Sequence, residues 1–299
     1  MKNVGLEQAD ILGKAAVGAL IGDNLGSVYS SYATGTVTGS DYYIGGLIGS
    51  MRGTLQHSYA AVTVKGEGTL AKHVGGLIGA GEIAHSLSMK YVYANGAVSG
   101  QDFVGGLAGS IYTDPAEIPI EYLYAGGEVS GYEYVGGLIG WHRGGRVQYA
   151  YASGKVTSTL QGIPPGGLAG ALGDGATAFI TLSILEKMHW NTTVGPDSSI
   201  GIDNGYSQQN FLKGITENQM TQKSSYTHFD DFENHWNLIE GVGTPYFEYP
   251  ATLALDESVS SDVYLSDSCA AGRCRRKSGC GSSPVRSDPI WKLAVRTNL

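Results

Sequence analysis

A short glycine-rich block recurs six times along this chain, and its period constrains the fold more than any other feature. The copies begin at Val17, Ile44, Val74, Val104, Val135 and Pro165, with successive starts 27, 30, 30, 31 and 30 residues apart. Five copies share a Gly-Gly-Leu core: Gly45, Gly46, Leu47; Gly75, Gly76, Leu77; Gly105, Gly106, Leu107; Gly136, Gly137, Leu138; and Gly166, Gly167, Leu168. The first copy has Ala19 in place of the second glycine and carries Leu20. A second block, Tyr-Ala-x-Gly-x-Val, follows at Tyr32, Tyr93, Tyr124 and Tyr151, with a looser copy at Tyr59.

Internal repetition at this period marks a repeat architecture. The runs are too short and too rich in glycine for helices. A unit of about 30 residues holds two or three short strands plus turns, whereas a propeller blade needs about 40–50 residues. The expected fold is therefore all-β: a right-handed parallel β-solenoid (β-helix) of about six coils with a small mixed C-terminal cap. Coils repeat at about 4.8 Å, so six form a core on the order of 25–30 Å long.

The block also predicts the packing. Each repeated Leu fits an inward column worth roughly 1.5–3 kcal/mol per side chain. The neighbouring glycines leave room for close backbone approach. The Val or Ile before them would face outward in a regular strand, and a bulge at Gly-Gly is expected to return it to the core. Val37, Val98, Val129 and Val156 of the second block are further core positions. The Tyr32, Tyr59, Tyr93, Tyr124 and Tyr151 column is expected to stack along the solenoid, as packing rather than as a ligand platform.

Composition agrees with a chain built from turns and thin strands. Glycine accounts for 46 residues and charged residues for only 15%, against a usual quarter. The hydrophobic share of 42% is too high for a disordered chain. The net charge of −8 argues against nucleic acid as a partner of the main body. From Arg273 onward there are seven basic residues and one acid, Asp288. Cys269, Cys274 and Cys280 all lie in the same tail, so the body owes nothing to disulfides or zinc–thiolate sites. No run of 18 apolar residues predicts a transmembrane helix.

The Gly-Gly-Leu-Ile-Gly block followed by Tyr-Ala-x-Gly-x-Val resembles the GLUG motif family over residues 16–185. Such repeats occur in large bacterial surface proteins, including filamentous-haemagglutinin-like adhesins, and in non-catalytic regions of immunoglobulin A-specific metallopeptidases. The stretches at His189–Gly195, Thr216–Met220, Phe229–Trp236 and Gly243–Tyr246 are similar to the closing unit that often follows these arrays. The resemblance implies an extracellular or cell-surface location and a chain that is part of a longer one. Partners implied are host-surface or cell-surface glycans or proteins.

The chain thus divides into an incomplete N-terminal coil or cap over 1–15, repeats over 16–185, a capping unit over 186–250 and a disordered tail over 251–299. Thr216 and Gln219 form a capping-box pattern that predicts a short helix near Glu217–Lys223. Arg273, Arg275, Arg276 and Lys277 form a basic cluster within the tail.

Motifs for catalysis are sparse. There is no H-E-x-x-H, no P-loop and no G-x-S-x-G elbow. The histidines His57, His73, His85 and His142 lack metal-ligand spacing, and no metal or cofactor is expected. Asp41, Asp102 and Glu133 recur just before successive blocks, and a β-helix glycosidase or lyase would need clustered carboxylates, or calcium with a basic residue, on one face. Solvated turns explain them more simply. Asn191-Thr-Thr193 matches a glycosylation acceptor. The expected function is a non-enzymatic adhesin or structural spacer. Short hydroxyl side chains such as Thr34, Thr36, Thr38, Ser99 and Ser130 would give a surface for weak multivalent glycan binding. A carbohydrate-active β-helix enzyme and the repeat region of a larger surface metallopeptidase are the alternatives.

Overall fold

The structure, a computed structural model, describes residues 1–81, 87–113, 120–173 and 182–247. The tail with its three cysteines and basic cluster, and His85, lie outside the described residues. The described chain is a parallel β-solenoid whose pairings fall on three faces.

The first face consists of four two- to four-residue strands, Ile44–Gly45, Lys72–Gly75, Asp102–Gly105 and Glu133–Gly136, each the start of one repeat block. The second runs through Ile21–Asn24, Ile48–Met51, Ile78–Gly81, Ala108–Tyr112, the start of Ile139–Ala152, Ala169–Leu172 and Ile200–Asp203. The third is the widest, reaching from Gly5–Gly13 through Tyr32–Gly39, Thr54–Gly66, Ser88–Ala94 and Ile120–Ala125 to Ser183–Asn191 and Ser207–Ile215.

Between the first two faces the chain turns at Gly-Leu. Leu47 donates its amide to the Leu77 carbonyl at 2.8 Å, Leu77 to Leu107 at 2.8 Å, Leu107 to Leu138 at 2.8 Å and Leu138 to Leu168 at 2.9 Å. The ladder of backbone bonds thus continues through the corner, and these five leucines are fully buried. Leu20 is only partly buried against the same core. Ile44, Val74, Val104 and Val135 form a second interior column, and Val37, Val64, Val98, Val129 and Val156 a third.

The paired glycines serve close approach, not a left-handed turn, since none of them has positive φ. A methyl on Gly45, Gly75, Gly105, Gly136 or Gly166 would overlap the carbonyl oxygen three residues on. A methyl on Gly46, Gly76, Gly106 or Gly137 would overlap the same-position carbonyl of the next coil. On Gly167 it would meet the Trp190 ring.

Two expectations require correction. The bulge that turns Val or Ile inward is not at Gly-Gly. The turn sits at the residue just before the Val or Ile, two before the glycine pair, where Tyr43, His73, Phe103 and Tyr134 adopt φ of 66°, 55°, 55° and 53°. A second left-handed seam runs down the wide face through Ser30, His57, Tyr91, Tyr122, Tyr149, Lys187 and Phe211. Non-glycine residues in this region cost about 1–2 kcal/mol each, so the stacking described below has strain to offset.

The array also continues past residue 185. Ser183–Asn191 pairs with Ile139–Ala152, Ile200–Asp203 with Ala169–Leu172, and Ser207–Ile215 with Ser183–Asn191, all in parallel register. These strands lack the Gly-Gly-Leu signature but keep the inward positions apolar, as at Leu185 and Met188. At the other end, Gly5–Gly13 already pairs with Tyr32–Gly39. The segment that closes the described chain begins at Thr216. Its helix, Glu217–Met220, forms with both bonds of the capping box.

Candidate interaction surfaces

The external features of the solenoid are columns, because residues at equivalent points of successive coils stand one above another. Tyr32, Tyr59, Tyr93, Tyr124 and Tyr151 are register partners on the wide face. Their rings stack with centroids 5.0, 4.8, 4.5 and 5.1 Å apart and planes within 6° of parallel. All the designated tyrosines are therefore brought together in one ladder.

A second ladder was not singled out from the sequence. His57, Tyr91, Tyr122 and Tyr149 stack at 4.9, 5.1 and 5.2 Å. The signal lay in the chain as Tyr91-Val-Tyr93, Tyr122-Leu-Tyr124 and Tyr149-Ala-Tyr151. Strict alternation places such i, i+2 tyrosines on one face with the apolar residue between them inside, and Val92, Leu123 and Ala150 are fully buried.

The segment after the last coil lies along these two ladders instead of only closing an end. Met220, Tyr226, Phe229, Phe232, Trp236 and Phe247 form one apolar cluster with Tyr122, Tyr124, Tyr149 and Tyr151. Polar contacts fix the segment in place. Tyr149 donates to Asp230 at 3.0 Å, Lys187 pairs with Asp230 at 2.6 Å, and Tyr151 donates to the Pro245 carbonyl with Thr244 Oγ1 3.1 Å from its hydroxyl. Burial holds the Tyr124 and Tyr151 phenols well above their ordinary range, so the covered ladders stay neutral.

A third ladder remains uncovered by this segment. In the residues of the first left-handed seam, His73 stacks on Phe103 at 4.8 Å and Phe103 on Tyr134 at 5.1 Å, and Tyr43 meets His73 at 5.3 Å with its ring tilted by 48°. Trp141 stacks on Phe103 at 4.8 Å and donates its indole N–H to the Gly173 carbonyl. Arg143 lies over the rings of Trp141 and Tyr112. His73 Nδ1 is 2.8 Å from Ser110 Oγ, and burial, with Arg143 and Lys72 adding, pushes its imidazole down to about 4.

The three acids singled out before the blocks do not all fall in one column. Asp102 and Glu133 are register partners, but Lys72 occupies the position before them and binds Asp102 at 2.8 Å. Asp41 falls outside that column, because Tyr43 aligns with His73 and Tyr42 with Lys72. Among the described residues no three His, Cys, Asp or Glu side chains converge as metal ligands. Asn191 of the sequon is buried, donates to the Ser153 carbonyl at 3.1 Å and accepts from the Thr193 amide, which makes it a structural residue. Of the hydroxyls, Thr38, Ser99 and Ser130 share one outer column with Lys65 and Thr157, while Thr34 and Thr36 stand in neighbouring columns.

One full turn of this architecture runs from Gly131 through the Gly137-Leu138 corner and the strand Ile139–Ala152 to Thr157. Residues 131–157 match the GLUG motif. The neighbouring GLUG-type coils repeat that geometry in register, with the same corner and the same interior Leu and Val. No curated protein and no solved structure matches the chain. Among the described residues no helix is long and apolar enough to cross a membrane.

Proposed function

We propose that this GLUG-type solenoid is a non-enzymatic repeat module of a cell-surface or secreted protein. It serves as a stiff spacer whose outer columns adhere weakly and repeatedly to glycans or proteins of a host or neighbouring cell. The observation that carries this reading is the polar column Thr38, Lys65, Ser99, Ser130 and Thr157. It presents one polar side chain per coil in unbroken register, four short hydroxyls and the Lys65 ammonium. A ligand with its own repeat gains avidity from such an array without any single strong contact. The carbohydrate-active enzyme reading would have to use the Lys72, Asp102 and Glu133 column, where the Lys72 ammonium pairs with Asp102.

A glycan array probed with the full chain, presented multivalently, tests the adhesive part. Binding that falls at least tenfold in a Ser99→Glu/Ser130→Glu double variant supports it. A folded protein with no hits removes the glycan role and leaves the spacer.

A further inference from the structure

The segment Thr216–Phe247 meets the solenoid through histidines, and two of them sit where a proton would be costly. His189 belongs to the solenoid, in register with Tyr151 of the preceding coil and Lys213 of the next. Its ring stacks on Phe229 at 5.1 Å and meets the edge of Tyr226 at 5.1 Å. Nδ1 lies 3.2 Å from the Lys213 carbonyl, so Nδ1–H donates there in the neutral ring. Nε2 is buried and has no hydrogen-bond partner among the described residues. A proton on Nε2 would therefore place an unsatisfied N–H and a positive charge against two aromatic rings.

His235 belongs to the segment. Its ring stacks on Tyr122 at 4.1 Å, and its Nδ1 lies 2.8 Å from the Tyr91 hydroxyl. With the neutral ring's proton on Nε2, Nδ1 accepts from that phenol.

From this geometry we propose that Thr216–Phe247 is an acid-released clasp: uptake of protons by His189 and His235 loosens it from the tyrosine ladders and uncovers them. The groups facing each histidine set the direction. Around His189 stand Tyr151, the Lys213 ammonium, Tyr226 and His228, and none of them carries a negative charge. Around His235 the Lys90 ammonium opposes protonation, while Asp231 and Glu121 partly compensate. The Lys187–Asp230 pair holds the Asp230 carboxyl below its ordinary range, so this anchor survives to a lower pH than the imidazoles.

Burial pushes His189 down to about 4 against an opposing pull from the hydrogen bond to the Lys213 carbonyl, and the Lys213 and His228 charges add smaller downward pulls. Once the clasp lifts, the ring meets water and returns toward 6.5. Protons thus bind the open state more tightly, and docking weakens as pH falls from about 6.5 toward 4. A group with these two values shifts the docking equilibrium roughly 30-fold between pH 7.5 and pH 5.0.

Hydrogen exchange of the full chain, corrected for intrinsic rates and read by mass spectrometry, tests the clasp. Protection of peptides from 216–247 is expected to fall roughly 30-fold between pH 7.5 and 5.0. His189→Phe, or His189→Gln should the first fail to fold, is expected to abolish most of that fall. Both should leave the pH response of peptides from 129–140 unchanged. A segment whose protection ignores pH in the unmodified chain overturns the proposal. So does a fall that persists undiminished in the His189 variant.

Discussion

Tyr124 and Tyr151 stack with ring centroids 5.1 Å apart and planes 1° from parallel, although a full coil of chain separates them. Tyr93 covers the other side of Tyr124 at 4.5 Å, and the closing segment packs across it through Trp236 and Phe247. Tyr124→Ala is therefore expected to cost about 3–5 kcal/mol, in the range for buried aromatic truncations. Tyr124→Phe, which keeps the ring, should cost less than about 1.5 kcal/mol. Tyr32 has a tyrosine neighbour on one side only and lies outside the covered stretch. Its alanine variant should lose less than half as much as Tyr124→Ala, and urea denaturation of the three variants gives the comparison.

The solenoid interior holds one polar side chain out of character with its column. His142 is in register with Ile111 before it and Leu172 after it. It is fully buried, and neither ring nitrogen completes a hydrogen bond of ordinary geometry among the described residues. Burial pushes its imidazole down to about 4, against a smaller opposing pull from the backbone at Gly144. A folded-state value below the ordinary 6.5 means that the charging cost is absent above about pH 7 and grows as pH falls from 6.5 to 4. His142→Leu is expected to stabilise the fold by about 1–3 kcal/mol at pH 7.5 through removal of unsatisfied nitrogens. The gain should increase by about 2 kcal/mol at pH 5.0. Guanidinium midpoints at the two pH values check both the size and the sign.

Close approach at the corner makes a sharper demand. A methyl on Gly106 would overlap the Gly137 carbonyl oxygen and press on Ala125, and backbone cannot swing away as a side chain can. Gly106→Ala is expected to lower stability by at least about 3 kcal/mol. Gly243→Ala meets nothing within 4 Å, and its thermal midpoint should match that of the unmodified chain.

The left-handed seams reverse a familiar preference. In an ordinary strand alanine is tolerated better than glycine. At Phe103, with φ of 55°, glycine relieves backbone strain that alanine keeps. Both variants lose the stacking on His73, Tyr134 and Trp141. Phe103→Gly should nevertheless be more stable than Phe103→Ala by about 1 kcal/mol, measured as the difference in denaturant midpoints.

Periodicity made the interior legible from the sequence. Leu47, Leu77, Leu107, Leu138 and Leu168 each sit beside glycines whose spacing no helix shares, and all five are buried. The seams were harder to read, because Tyr43, His73, Phe103 and Tyr134 carry none of the Gly, Asn or Asp chemistry that marks a left-handed residue. Stacking between coils holds them there, and that is a tertiary effect. The last strands escaped notice for a related reason. Ser183–Asn191 and Ser207–Ile215 inherit their register from the coil beneath and need no corner motif of their own. The lateral course of the closing segment depends on which ladder its Trp236 and Phe229 meet, and residue order alone does not contain that information.

Stacked coils in register are the central claim, and a distance between two of them tests it most directly. Thr38 and Thr157 stand in one outer column, linked through Lys65, Ser99 and Ser130. Four steps of about 4.8 Å separate them, which places their backbones about 19 Å apart. Pulsed electron–electron resonance between spin labels on Thr38→Cys and Thr157→Cys, with the three native cysteines replaced by serine, should give one narrow distribution near that separation. A broad distribution, or a mean beyond about 30 Å once the label tethers are allowed for, would contradict the solenoid.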